Sequence, residues 1–369
     1  MKIVTVAGAR PNFIKIASLL RELRNRAGVQ SLLVHTGQHY DARMSQTFFD
    51  ELEIPRPDIE LEVGSASHAV QTAEVMKRFE PVLAQQNPDA VLVVGDVNST
   101  LACALTAVKM GIPVAHVEAG LRSFDRAMPE EINRILTDAI SEWLFVTERS
   151  GLENLAREGI PAEKVHFVGN VMIDTLLQHQ ERSKRSTVLA DLGVQPRKYA
   201  VLTLHRPASV DEPETLKRIL SAVMRIGEEL PVVFPVHPRT RKNLPTAPAR
   251  TGSPCGLHLL DPLGYLDFLN LIANARLVMT DSGGVQEETT VLGVPCLTLR
   301  TSTERPVTIS EGTNILVGLE RETIIAEGLK AVARPRCPRL PELWDGRAAA
   351  RIVDILCRCN SSPRNHTKV

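Results

Sequence analysis

Short, unbroken apolar runs alternate with longer segments of helical period along this chain, and the alternation is laid down twice. Ile3–Ala7, Ser31–His35, Ala90–Val94 and Pro113–Val117 are too short for helices and carry no consistently polar face. A strand that is apolar on both sides has to be covered on both sides, which is the condition of a parallel sheet between layers of helix. Pro11–Arg26, Thr100–Met110 and Glu130–Ile140 supply helices, and Trp143–Val146 and Val165–Val168 read as further strands. After a charged stretch from Glu181 to Arg197 the rhythm restarts. Strands are expected at Tyr199–Leu204, Val232–Val236, Leu257–Leu260, Leu277–Met279 and Cys296–Leu299, with helices at Pro213–Leu230, Tyr265–Ala275 and Arg321–Ala333. This predicts an α/β protein with two doubly wound, Rossmann-like domains, at residues 1–170 and 171–340. A last helix over about residues 346–359 is expected to pack back on the first domain.

The halves echo one another: Val91–Ser99 and Arg276–Gly284 both run strand, Asp, small polar residues, helix. Open parallel sheets bind ligands outside the carboxyl ends of their strands. A cleft between two such sheets is therefore the expected site. Its contents are constrained by charge. Lys+Arg and Asp+Glu both number 43, so no global basic field exists to hold a polyanion, and phosphate recognition has to be local. Aromatic residues make up 4%, which argues against stacking on single-stranded nucleic acid; no nucleic-acid partner is expected. None of the six cysteines forms a CxxC pair, and no histidines have HExxH spacing, so no metal is expected. Met1–Val4 runs straight into a strand without a signal-peptide pattern, and no apolar run approaches a membrane span. A cytoplasmic protein with no membrane partner is the expectation.

Several strand ends carry chemistry. Thr280–Glu288 (Thr-Asp-Ser-Gly-Gly-Val-Gln-Glu-Glu) sits where strand becomes helix. Ser282 can cap that helix, and Gly283 and Gly284 let a phosphate approach its free N–H groups. Glu288, one turn further, can accept from ribose hydroxyls. The segment is neither GxGxxG nor GxxxxGK[ST], which disfavours a nicotinamide cofactor or a P-loop; no cofactor is expected. Arg10 and Lys15, in and just after the first strand-to-helix turn, fit a diphosphate. Asp96 and Glu118 end their strands, and Glu130 and Glu131 open the helix after Met128-Pro129. Glu131 is read as a helix-dipole partner. Three carboxylates in one cleft suit proton transfer. His205 ends the first strand of the second half, and His237 and Arg239 end the next.

These motifs resemble a known family. Gly8-Ala-Arg-Pro11, Thr36-Gly-Gln-His39, Gly95-Asp96, His116–Arg122, Pro129–Arg134, Gly169-Asn170, Leu204-His-Arg206, Asp281–Glu288 and Thr303–Pro306 are similar, in order and spacing, to the non-hydrolysing UDP-N-acetylglucosamine 2-epimerases. The resemblance covers about residues 1–330. It implies a glycosyltransferase-B-type fold and interconversion of UDP-GlcNAc and UDP-ManNAc, without NAD or metal, through elimination of UDP and its re-addition to 2-acetamidoglucal. By motif, the implied catalytic group is Asp96, Glu118, Glu130 and His205. The implied UDP-binding group is Arg10, Lys15, Phe268, Ser282, Gly283, Gly284, Glu288 and Arg305. A UDP-sugar is the implied small-molecule partner, and a homodimer is expected. The family often has Gln where this chain has Leu263, and Val97-Asn-Ser99 replaces a Thr run after Asp96. A related UDP-2,3-diacetamido uronic acid is the alternative substrate, and a nucleotide-sugar glycosyltransferase the alternative enzyme.

Overall fold

Continuous apolar runs become the interior strands of two all-parallel sheets. The computed structural model describes residues 1–37, 48–244, 256–333 and 339–360. Strands β1 (Lys2–Ala7), β2 (Gln30–His35), β3 (Ile59–Glu60), β4 (Ala90–Val94), β5 (Val114–Ala119), β6 (Trp143–Val146) and β7 (Val165–Phe167) form one sheet, ordered β3-β2-β1-β4-β5-β6-β7. Strands β8 (Ala200–Thr203), β9 (Val232–Pro235), β10 (Leu257–Leu260), β11 (Leu277–Thr280), β12 (Cys296–Thr298) and β13 (Asn314–Leu316) form the other, ordered β10-β9-β8-β11-β12-β13. The expected two-part parallel α/β architecture is present. In both sheets the chain runs outward from the central strand, then returns and runs the other way. The order reverses between β1 and β4 and between β8 and β11. A doubly wound sheet is most open to a ligand at that reversal.

The chain divides into two compact units: Met1–Thr175 joined by residues from Glu342 onward, and Leu176–Pro341. In the first, Val4, Val6, Val91 and Val93 pack against Val75, Phe79 and Leu83 of the helix His68–Gln86. No element is expected there from the sequence reading, yet Gln71, Val75, Phe79 and Leu83 recur every fourth residue and Ser67 accepts from the Val70 N–H as its N-cap. The helix Ala348–Asn360 packs on the helix Arg10–Asn25. It is fastened by Asp174, which accepts from the Ala348 and Ala349 N–H groups at 3.1 and 2.7 Å. Just before it, the buried Trp344 donates to the Thr147 carbonyl at 2.9 Å. In the second unit, Leu202, Phe234 and Met279 meet Leu216, Ile219 and Val223 of the helix Pro213–Gly227.

Several boundaries move. β5 runs past its expected end at Val117 to Ala119, with a register shift against β6 between Val117 and Ala119. The strands Ile59–Glu60 and Asn314–Leu316 and the helices Arg149–Arg157 and Val171–Ser183 are additions to the expected elements. The Gln38-His39-Tyr40 segment, the Pro/Thr-rich residues 245–255, residues 334–338 and the tail after Asn360 lie outside the described residues.

Candidate active site

In the first unit, the turn after β1 is organised by Asn12. Its Oδ1 accepts from the Gly8 and Ala9 N–H groups at 3.0 and 2.9 Å, and its Nδ2 donates to the Val94 carbonyl at the end of β4, at 3.1 Å. The side chain one helical turn on is Lys15, which is buried and forms an ion pair with Glu118. A carboxylate and an ammonium can be buried together because each offsets the other's lost hydration. Gly95 lies against both: a Cβ there would stand 2.8 Å from Lys15 Nζ and 3.2 Å from Glu118 Oε2. Only glycine, at φ +67°, leaves the pair intact.

Asp96, next in the chain, is half-buried and pairs with Arg134 Nη1 at 3.1 Å. Arg134 is buried and also meets Glu131, at 3.0 Å through Nε. Its Nη2 has no hydrogen-bond partner among the described residues. Glu131 therefore does more than face a helix dipole. It is buried, and its oxygens accept from the Ser123 and Phe124 N–H groups, both at 2.9 Å. It ties down the segment that leads into the helix Pro129–Ile140, and that correction could not be read from its position in the first turn alone. Glu130, its neighbour, is half-buried in the same turn. Asp96 and Glu118 thus stand at or just after the carboxyl ends of the adjacent strands β4 and β5, while Glu130 lies in the first turn of the helix that follows β5. Arg10 opens its helix, but its side chain lies outside the described residues.

In the second unit the fully buried Asp281 organises the strand ends. It accepts from the His205 N–H at 3.0 Å and the Arg206 N–H at 2.9 Å, and stands 3.1 Å from His205 Nδ1. Burial works to raise its pKa, but the His205 ring and the two N–H groups prevail and hold the carboxyl below its usual range. This anchors His205 at the end of β8 with its ring 41% exposed. The His237 ring lies beside it, centroids 5.7 Å apart, and Arg239 is drawn off to Asp211.

Ser282 is the N-cap of the helix Gly283–Leu292, although its hydroxyl makes no capping bond; its N–H donates to Thr280 Oγ1 at 3.0 Å. The first N–H groups of a helix have no intrahelical acceptor, and this end also carries the positive pole of the dipole. Beneath it, Arg206, Arg300 and Arg305 share the buried Glu304, and Arg305 also binds Glu287 at 2.7 Å. Arg206 Nε and Arg300 Nη1 are buried without a hydrogen-bond partner among the described residues. Three guanidinium groups against two carboxylates leave a local positive excess in a chain with no net charge. Arg305 itself is buried, and a Cβ on Gly283 would stand 2.6 Å from its Nη1, so it underlies the helix start.

Glu288 is buried further along the same helix, where the Tyr265 hydroxyl donates to its Oε1 at 3.3 Å. Burial pushes its carboxyl up to about 8, with Glu287 adding to the rise and Tyr265 opposing it. Phe268 is half-buried on the helix Tyr265–Ala273. Asn12 and Arg134 in the first unit, and Arg206, Asp281, Arg300 and Glu304 in the second, hold positions to which the sequence assigns no role. Arg134, Arg206, Asp281 and Glu304 lie within the motifs quoted above, whereas Asn12 and Arg300 lie outside them.

The family model described as UDP-N-acetylglucosamine 2-epimerase matches residues 21–357. A UDP-N-acetylglucosamine 2-epimerase of Methanocaldococcus jannaschii is 43% identical over 363 residues, covering 96% of this chain and 99% of that one. A UDP-2,3-diacetamido-2,3-dideoxy-D-glucuronate 2-epimerase of Pseudomonas aeruginosa is 40% identical, covering 97% of this chain and 100% of the relative. The crystal structure of the M. jannaschii UDP-GlcNAc 2-epimerase in complex with UDP-GlcNAc and UDP superposes with a TM-score of 0.91 at 42% identity, over 97% of this chain and 100% of that one. With two Rossmann-like sheets, acids at the strand ends of one and a glycine-opened helix at the reversal of the other, this chain belongs to the UDP-N-acetylglucosamine 2-epimerase family.

Proposed function

We propose that this chain interconverts UDP-N-acetylglucosamine and UDP-N-acetylmannosamine by inverting the configuration at C2. The observation that carries this reading is the placement of Asp96 and Glu118 at the ends of adjacent strands, with Glu130 at the start of the helix that follows, in a chain whose relatives are named for that reaction. One carboxylate takes the C2 proton while the C1–O bond breaks and its electron pair leaves with UDP. The product of that step is 2-acetamidoglucal. A proton then returns to C2 on the opposite face, and a phosphate oxygen of UDP re-forms the bond to C1. Asp96, Glu118, Glu130 and His205 are the groups assigned to proton transfer. Arg10, Lys15, Ser282, Gly283, Gly284 and Arg305 are assigned to the diphosphate, Arg305 through the helix start it underlies, and Phe268 to the uracil. Glu288 is assigned to the ribose, where a neutral carboxyl both donates and accepts.

Incubation with UDP-GlcNAc alone in heavy water tests the reading. The expected product is UDP-ManNAc carrying deuterium at C2, with no acceptor needed. Product that keeps its original C2 hydrogen would refute elimination, and no product without an acceptor would favour a glycosyltransferase. The P. aeruginosa relative supports a second substrate, a UDP-2,3-diacetamido uronic acid, and the same incubation with both sugars separates them. We further infer a homodimer. The neighbouring helices His68–Gln86, Asn98–Lys109 and Pro129–Ile140 expose Val70, Val108 and Leu136, which supports a second copy as their cover. A monomeric mass by light scattering would exclude it.

A further inference from the structure

Glu118 sits at φ +77°, a left-handed conformation that side chains other than glycine's rarely adopt. It also occupies the point where β5 slips register against β6. An extra residue at a strand end bends the chain and re-aims one side chain, here the carboxylate paired with Lys15. Such a conformation persists only where its surroundings over-determine it.

Those surroundings converge on Asp138, which is wholly buried on the helix Pro129–Ile140. Its Oδ1 accepts from His116 Nδ1 at 2.7 Å, two residues before Glu118. Its Oδ2 accepts from the Gly120 N–H at 3.0 Å, two residues after, and from Arg122 Nη2 at 2.7 Å. The other ring nitrogen of His116 bonds the Gly95 carbonyl at 2.8 Å, immediately before Asp96. The ring thus bridges the Asp138 carboxylate to the turn that carries Asp96. Burial works to raise the Asp138 pKa, but His116 and Arg122 bring the carboxyl below its usual range. Arg122 is steadied in turn by both oxygens of Glu158, at 2.7 and 2.6 Å.

We propose that Asp138 is a positioning residue for the proton-transfer carboxylates: through His116 and the Gly120 N–H it fixes the bulge that presents Glu118, and through His116 and the Gly95 carbonyl it ties that bulge to Asp96. The inference rests on the epimerase reading above. Asp138 stays out of the chemistry, because its oxygens are committed to three donors and lie away from solvent. An acid is required at this point because only a carboxylate accepts from an imidazole, an amide and a guanidinium together. Asparagine keeps the shape but turns an NH2 toward one of those donors.

The test is Asp138→Asn, with His116→Gln as a second variant that breaks the ring's bridge and leaves the Gly120 bond. Displacing a reacting group by about 1 Å can cost about 100-fold, so a loss of about 10–100-fold in kcat is expected. KM for the UDP-sugar and the affinity for UDP should stay within about twofold, since the displaced groups act on the chemical step. Because the effect runs through Glu118, adding Asp138→Asn to Glu118→Gln should cost little more, and the two losses should not multiply. The proposal is overturned by unchanged kcat, by a loss confined to KM, or by losses that multiply. It is also overturned if neither variant retains the native circular dichroism, since the role would then be structural alone. Failure of the wild-type protein to exchange deuterium at C2 would instead strike the epimerase reading, so the two failures are distinguishable.

Discussion

Replacing Glu288 by Gln should flatten the pH dependence of the second unit's stability. The carboxyl is buried, and its pKa stands at about 8 against an ordinary 4.5. A raised carboxyl pKa means that the native state holds a proton the unfolded chain has released. Stability from this group is therefore fully present below about pH 4.5, falls as pH rises, and is lost above about pH 8. At about 1.4 kcal/mol for each pH unit, the interval corresponds to a fall on the order of 5 kcal/mol. Glutamine keeps the shape and an oxygen for the Tyr265 hydroxyl, and it does not titrate. The gap in unfolding free energy, Glu288→Gln variant minus wild type, should thus widen steadily from pH 5 to pH 8 and then level off. Both tryptophans, Trp143 and Trp344, lie in the first unit, so their fluorescence is the wrong probe. Urea titrations followed by circular dichroism, or hydrogen exchange on the Gly283–Leu292 helix, report on the second. A gap that stays constant from pH 5 to pH 9 would refute the argument, because Glu288 would then be ionising where exposed carboxyls do.

Glu118→Gln should lower turnover by about 10²–10⁴-fold, because the amide cannot take a proton; near-normal turnover would remove Glu118 from the reaction. Gly283→Ala should both destabilise the second unit by about 1–3 kcal/mol and weaken UDP binding, since the new methyl meets a guanidinium anchored by Glu287 and Glu304. Wild-type values for both quantities would show that the helix start has room to spare. Trp344→Ala should cost the first unit about 3–5 kcal/mol in denaturant unfolding, the usual penalty for emptying a buried aromatic site. A loss under about 1 kcal/mol would show that the Trp344 pocket collapses.

The strand ends are legible in the sequence because they need only local information. An apolar run followed by Asp96, Glu118, His205 or Ser282 places each of those residues at one edge of a sheet. What those residues touch is not legible. Lys15 reads as a phosphate ligand from its charge and its turn, and the structure pairs it with Glu118, 103 positions away. Asp281 reads in sequence as an acid between strand and helix and Asp138 as one more polar residue of a helix, and what each holds emerges only when the surrounding strands and helices are brought together. The helix His68–Gln86 does have a legible stripe, but the Pro81 inside it obscures it. β3 is two residues long, too short for any period to register.

The return of the last helix to the first unit sets an order of assembly during synthesis. Leu176–Pro341 is one continuous stretch, and all of it is synthesised before Trp344 and Ala348–Asn360 exist. At about 5–20 residues per second, the first half waits on the order of 10–30 s for its final helix. Throughout that interval, the surface later covered by Ile352, Val353 and Leu356 is bare apolar side chain. The older part of the nascent chain is thus the one still sticky when the younger part is done. A ribosome that stalls near Pro341 would release a chain whose second unit is whole and whose first unit is the one that draws chaperones.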